Sequence, residues 1–213
     1  MIPLSMRFSK DKFHWLARML THPIEAFFEI RHRGAGNPAL GVLLMIAFGI
    51  TYSLNRLFAS FIVNEVNPRS VNLLGECGGV VALFLLFCVG NWSITCLMEG
   101  EGRFADIITV TGYALLPLVL TWIPATVFSH VVAANEEAFY SIVMFAGAAW
   151  TTMLLLIGIM TIHGYTLAKT LATMLLTIVS MLIMMFVALM LVNLLNQLYV
   201  FIYSVYIEIL FRS

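Results

Sequence analysis

Residues 96–120 read CLMEGEGRFADIITVTGYALLPLVL. An apolar run stops at Met98. Glu99-Gly100-Glu101-Gly102-Arg103 then sets three charges and two glycines in the chain before it turns apolar again. Pro117 stands inside the second apolar run, four residues after Tyr113. A proline there removes the hydrogen bond to the carbonyl four residues back and bends or breaks a helix. Two long apolar segments joined by a tight charged turn describe two antiparallel membrane helices, the second of them kinked.

Composition agrees with that reading. Of 213 residues, 62% are hydrophobic and 10% are charged, against about 45–50% and about 25% in soluble domains. So few charges cannot cover so much apolar surface in water, and the solvent must be lipid. Eleven basic and eleven acidic residues give no net charge, which excludes a basic face for nucleic acid. Cys77, Cys88 and Cys96 lie in or beside one apolar run without a CxxC pair and read as small packing residues. Residues 1–37 mix charge with aromatics and do not read as a signal peptide.

Five runs are long enough for a bilayer, which takes about 20 helical residues. They cover about Ala39 to Val63, Leu73 to Leu97, Phe104 to Phe128, Ala138 to His163, and Leu167 to Asn193. The expected fold class is therefore all-α, a polytopic bundle of five transmembrane helices. N-terminal interfacial helices and a C-terminal apolar helix flank it. The expected division is a cytoplasmic or interfacial segment at 1–37, a membrane domain at 38–193 and the apolar helix at 194–213. Lys and Arg set the orientation. Arg7, Lys10, Lys12, Arg18, Arg31, Arg33, Arg103 and Lys169 fall on one side, Arg69 and Arg212 on the other. The basic side, with the N-terminus, is expected to be cytoplasmic.

Phe13, Leu16, Met19 and Leu20, and after Pro23 the residues Ile24, Phe27 and Phe28, recur at helical spacing. This suits helices lying at the membrane surface or packed on the loops, with Glu29 and Arg33 spaced as an ion pair. At the other end, a helix from Leu167 to Phe211 would measure roughly 67 Å, twice a ~30 Å hydrocarbon core. A break near Asn193, Asn196 and Gln197 is expected. The last segment then lies on the surface, packs on the bundle or returns as a sixth span.

Polar residues inside the spans are candidates for function. Intramembrane arginine is costly, and Arg56 shares a helix face with Gly49, Ser53 and Ser60, the small-residue face through which helices pack. It should meet a carboxylate, Glu76 near the outer start of the second span being the first candidate and Glu136, Glu137 and Glu208 others on that side, or snorkel to the headgroups. Pro117 and Pro124 should free the carbonyls of Tyr113 and Leu120, for Thr109, Thr111, Thr121 or a neighbouring helix to meet. Asn91 is at the right depth to meet Tyr113. Gly100 and Gly102 are expected to permit backbone angles other residues avoid, with Phe104 docking beside the turn; they follow no strand and form no phosphate loop. Asn91 and Trp92, with Gly147, Thr151 and Gly158, read as helix-packing residues. His130 and His163 end spans without a partner at metal-ligand spacing, and no catalytic set or cofactor motif is present.

GEGRFADIITVTGYALLPLVL resembles the signature of the Yip-domain family, the Ypt/Rab-interacting-type membrane proteins, in which a G-x-G-x-F turn leads into a helix carrying G-Y-x-L-L-P. The matching positions are Gly100, Gly102, Phe104, Gly112, Tyr113, Leu115, Leu116 and Pro117. GNWSITCLMEG matches the family's N-W segment at Asn91 and Trp92, and residues 22–41 resemble the start of its bacterial branch. The resemblance implies a five-span bundle, a cytoplasmic N-terminus and no catalysis. It places the protein in a bacterial cell membrane, or alternatively a eukaryotic endomembrane. The implied role is an accessory or scaffold protein contacting lipid and another integral membrane protein, an ABC-type transporter being the candidate it suggests, or a second copy of itself. The alternative is a small-solute transporter or channel, with Arg56 and the kinked third span lining the path.

Overall fold

The computed structural model describes residues 18–33 and 36–212; seven helices lie wholly within them, residues 18–21 are helical as well, and no strand occurs among them. Their bounds are α1 Pro23–Arg33, α2 Pro38–Phe58, α3 Leu73–Leu97, α4 Phe104–Ala114, α5 Leu116–Phe128, α6 Glu137–His163 and α7 Leu167–Arg212. Short 3-10 turns occupy Pro68–Ser70 and Ala134–Glu136. With α4 and α5 counted as one span, five stretches are long and apolar enough to cross a membrane. The fold is an all-α polytopic helical bundle.

Local chemistry sets the helix ends. Asn37 starts α2: its side chain accepts the Ala39 N–H at 3.0 Å, and Pro38 takes the first helical position, where its missing N–H costs nothing. α2 stops at Phe58 rather than near Val63 because side chains compete for the groups that would extend it. Asn64 Nδ2 donates to the Arg56 carbonyl at 2.8 Å, and the Ser60 N–H donates to Ser129 Oγ at 3.0 Å. Ala59 turns extended as a result. Asn72 caps α3 through the Gly75 N–H, and Gly164 closes α6 at φ +66°, a conformation glycine adopts without strain.

The third span breaks where the proline requires it. α4 ends at Ala114 and α5 begins at Leu116, with Pro117 in its first turn. The Leu115 N–H reaches back only three residues, to the Gly112 carbonyl at 3.2 Å. Thr109 and Thr121 do not rescue the carbonyls freed by Pro117 and Pro124. They bond the carbonyls four residues before themselves, Ala105 at 2.7 Å and Pro117 at 2.8 Å, a habit that bends helices further.

α2 is the central helix, with α3, α4 and α5 packed around it; α6 closes on α4 and α5, and α7 lies mainly along α3. Met45, Ile107, Val110, Ala114, Leu154 and Ile159 are buried to 2% exposure or less. Glycines mark the tight crossings. A Cβ on Gly112 would fall on the backbone of Gly41, and one on Gly147 against Thr121 Oγ1. One on Gly158 would meet Val110, with Phe27 Cζ at 3.2 Å. Thus α1 is not a free surface helix. Ala26, Phe27 and Ile30 are buried on the side packed against α6, while Ile24 and Phe28 stay exposed. Phe13 and Leu16, and the Arg33 side chain expected to pair with Glu29, lie outside the described residues; Glu29 stands 3.7 Å from Arg18.

α7 contradicts the expected break at Asn193, Asn196 and Gln197. It runs uninterrupted for 46 residues, because no glycine or proline falls between Leu167 and Arg212 and amide side chains leave the backbone ladder intact. Only Thr170, Thr173 and Thr177 of this helix are buried. Gly90 of α3 lets it approach: a Cβ there would meet Met184 Cε at 3.1 Å and Met181 Cγ at 3.3 Å. Beyond Met184, its apolar side chains face outward.

Candidate functional site

The charged turn of residues 98–103 sits at the same end of the bundle as α1, and its glycines act differently from the expectation. The residue with positive φ is Glu99, at +57°; neither Gly100 nor Gly102 has one. The glycines are required by space. A Cβ on Gly100 would lie 2.5 Å from His163 Nδ1 and 2.6 Å from the Tyr165 hydroxyl, and one on Gly102 would lie 2.8 Å from His163 Cε1. A histidine ring fills the room the two glycines leave.

His163, the last residue of α6, is 2% exposed, although its place in the sequence reads as an interfacial cap. The Gly102 N–H donates to its Nδ1 at 3.2 Å, so the neutral ring carries its proton on Nε2, and that buried atom has no partner. The ring stacks on Tyr165 at 5.3 Å. Tyr165 donates its hydroxyl to the Met98 carbonyl at 3.1 Å, and burial holds that hydroxyl above its ordinary range. Lys169 lies 4.3 Å over the Tyr165 ring, a cation–π contact. Arg31 donates to the Thr161 carbonyl at 3.1 Å and forms an ion pair with Glu101. Four elements therefore meet here: α1, the turn, the end of α6 and the start of α7.

The rest of the G-Y-x-L-L-P segment also faces other helices. Gly112 is the crossing with Gly41. Tyr113, 6% exposed, accepts the Asn37 N–H on its hydroxyl at 3.2 Å, tying α4 to the start of α2. Phe104 meets Trp92 edge to face at 5.7 Å, with both rings partly exposed.

Asn91 does not meet the Tyr113 carbonyl. It is fully buried, but its Nδ2 donates to Thr177 Oγ1 of α7 at 3.2 Å. Its neighbour Gly90 lies against α7, and this register turns Asn91 toward α7 rather than α4. Asn91 Oδ1 is left without a partner. Spacing along the helix axis carried no information about rotation around it.

At the opposite end, Arg56 and Glu76 lie together. Arg56 Nη1 is 3.5 Å from Glu76 Oε1 and donates to the Tyr52 hydroxyl at 3.3 Å. Gly49 and Ser53 on the same face press on α3: a Cβ at Gly49 would touch Cys77 Sγ at 2.9 Å, and Ser53 Oγ lies 3.5 Å from the Leu73 carbonyl. Tyr52 stacks on Trp122 of α5 at 6.0 Å. Arg56 Nε, Glu76 Oε2 and Trp122 Nε1 are each buried without a hydrogen-bond partner. One helix face away, Asn55 Nδ2 donates to Thr126 Oγ1 and to the Tyr140 hydroxyl, both at 2.8 Å. Sequence reading missed Tyr52, Asn55, Trp122, His163 and Thr177 as members of these networks. Only Tyr52 carried a signal, one turn before Arg56. Among the described residues, no group of three His, Cys, Asp or Glu side chains is arranged to hold a metal.

Comparison with curated proteins gave no match, and comparison with solved structures gave none. The family model of the Yip1 domain matches residues 17–191, which takes in α1 to α6, the glycine turn, the broken third span and the first half of α7. An all-α bundle with five membrane-spanning stretches and a match over most of its length, this chain belongs to the Yip1-domain family.

Proposed function

We propose that this protein is a non-enzymatic accessory or scaffold protein that works by binding another integral membrane protein. The family resemblance makes an ABC-type transporter the kind of partner to test first. The observation that carries this reading is α7. At 1.5 Å per residue its 46 residues span about 69 Å, against a hydrocarbon core of about 30 Å. The bundle covers its first turns alone. Leu194, Leu195, Tyr199, Phe201, Ile202 and Ile209 are each more than half exposed. An apolar helix that outruns the bilayer needs cover that the described residues do not supply, and the apolar surface of a membrane partner supplies it. The positive-inside bias supports a cytoplasmic N-terminus, and the resemblance supports a bacterial cell membrane.

Purification of the full chain in mild detergent tests the reading, with a variant truncated after residue 191 as comparison. A stoichiometric membrane partner, retained by the full chain and lost by the truncated one, is the expected result. A full chain that purifies alone or only with itself, and moves solute in liposomes, would replace this reading with the transporter one.

A further inference from the structure

We propose that the second half of α7 pairs with the same segment of a second copy of this chain, as a parallel two-stranded coiled coil. The pairing face begins inside the bundle. Thr170, Met174, Thr177, Met181 and Met184 are buried or half-buried where α7 lies on α3. They recur at alternating steps of four and three residues. The same alternation passes Ala188 and continues through Leu191, Leu195, Leu198, Ile202, Val205 and Ile209. All six of these are exposed. An apolar repeat averaging about 3.5 residues is the seam of a left-handed coiled coil. One seam thus runs along α7: its first half is covered by α3, and its second half offers the same kind of face with nothing on it among the described residues.

Reach, direction and residue type choose the occupant. Thr177 bonds Asn91 of the antiparallel α3. Counting from Asn91 back to Leu73, where α3 starts, and equally far along α7 from Thr177, ends at residue 195. The rest of α7, roughly 25 Å of helix at ~1.5 Å per residue, stands beyond the bundle at the end opposite α1. Only a helix that overruns the bilayer as far, on the same side, can line this seam, and a second copy carries one. Copies inserted under the same charge bias point the same way, so their α7 helices run parallel. With Leu195, Ile202 and Ile209 as a positions and Leu191, Leu198 and Val205 as d, parallel pairing sets each residue against its own copy. β-branched residues at a with leucine at d favour two parallel strands, and Ile202, Ile209, Leu191 and Leu198 fit that rule. Beside the seam, Leu194 comes opposite the partner's Tyr199 and Phe201 opposite the partner's Tyr206, so no like charges there select against self-pairing. Arg212 takes the next d position, where its charge ends the seam. The inference goes beyond the partner reading above. Val200, Tyr203 and Leu210, each more than half exposed, face out of such a pair and remain for a membrane partner of another kind.

Cysteine cross-linking of the full chain in its membrane tests the proposal. With Cys77, Cys88 and Cys96 replaced, single cysteines are placed on the seam (Leu198→Cys, Ile202→Cys, Val205→Cys) and off it (Val200→Cys, Ser204→Cys, Phe211→Cys), then oxidised with copper phenanthroline. All six positions are exposed in the single chain, so the bundle tolerates the changes. A disulfide needs Cβ atoms about 3.5–4.5 Å apart, so each seam position is expected to give on the order of tenfold more linked dimer than the off-seam positions. Equal yields on and off the seam, or none at any position, overturn the pairing. An antiparallel pair joins identical residues only at its midpoint, so dimer at a single seam position overturns the parallel register. Ile202→Glu should convert the detergent-purified dimer to monomer in native mass spectrometry, while Val200→Glu leaves it dimeric; a dimer in both overturns the proposal. Seam cross-links in a preparation that holds no other protein uphold the pairing and remove the partner reading. A retained partner without seam cross-links overturns the pairing alone.

Discussion

Replacing Gly112 by alanine tests the central packing of the bundle with a single methyl group. The new Cβ would fall on the carbonyl oxygen, Cα and carbonyl carbon of Gly41. These are backbone atoms with no rotamer to change, so α2 and α4 must separate by on the order of 1 Å to reach ordinary contact at about 3.5–4.0 Å. A gap of that size forfeits roughly a quarter to a half of each contact's ~0.1–0.2 kcal/mol. If the crossing holds about as many contacts as one buried leucine, ~40–60, the loss comes to about 1–6 kcal/mol, centred near the upper end of the ~1–3 kcal/mol range for overpacked cores. Gly78→Ala is the matched control, because no atom lies within 4 Å of a Cβ there, and removing a helical glycine at an open site is neutral or mildly stabilising. Gly41→Ala should fall between the two, its Cβ meeting the Ile108 carbonyl oxygen at 2.8 Å. Equilibrium unfolding in mixed micelles measures all three. A Gly112→Ala protein as stable as the Gly78→Ala control would refute the reasoning, since the α2–α4 crossing could not then be as close as described.

Three other outcomes follow from the same geometry. Gly102→Ala drives a methyl into the His163 ring, and is expected to cost about 1–3 kcal/mol and to speed tryptic cleavage after Arg103. Asn91→Ala removes the bond to Thr177 and should lower stability by only about 0.5–1.5 kcal/mol, as interhelical hydrogen bonds in membranes do; a larger loss would mean that Asn91 anchors more than α7. Glu136→Cys, in a chain with Cys77, Cys88 and Cys96 replaced, should react with an impermeant thiol reagent added on the non-cytoplasmic face. Reaction from the cytoplasmic face alone would reverse the proposed orientation.

The five spans were legible because bilayer thickness acts on length and composition, which a sequence displays directly. The break at Pro117 was legible for a similar reason: proline acts on its own backbone, whatever surrounds it. The end of α2 was not, since Asn64 stops it from eight positions beyond Arg56 by bonding its carbonyl, and nothing in an apolar run announces such a competitor. The continuity of α7 was misread through a rule about bilayers. Backbone chemistry favoured one helix throughout, and only the thickness of the solvent argued for a break.

The motif residues were legible as special and misread as to why. Gly100 and Gly102 suggested unusual φ angles, yet Glu99 carries the positive φ, and the glycines are small because His163 occupies the space. Gly112 faces Gly41, Tyr113 holds Asn37, and Pro117 breaks the helix just beyond them. Each contact joins segments distant in sequence, so no local pattern names the partner. Together they lock α2, α4 and α6 with the turn, which makes the motif a device for fixing the bundle's shape. Its residues are consumed by contacts within the chain, and a side chain buried in such a contact has little left to offer a ligand or a partner. Among the described residues, the largest uncovered apolar surface lies outside the motif, along the second half of α7. The most recognisable stretch of this sequence thus accounts for the fold, and the search for function moves to residues that the motif leaves out.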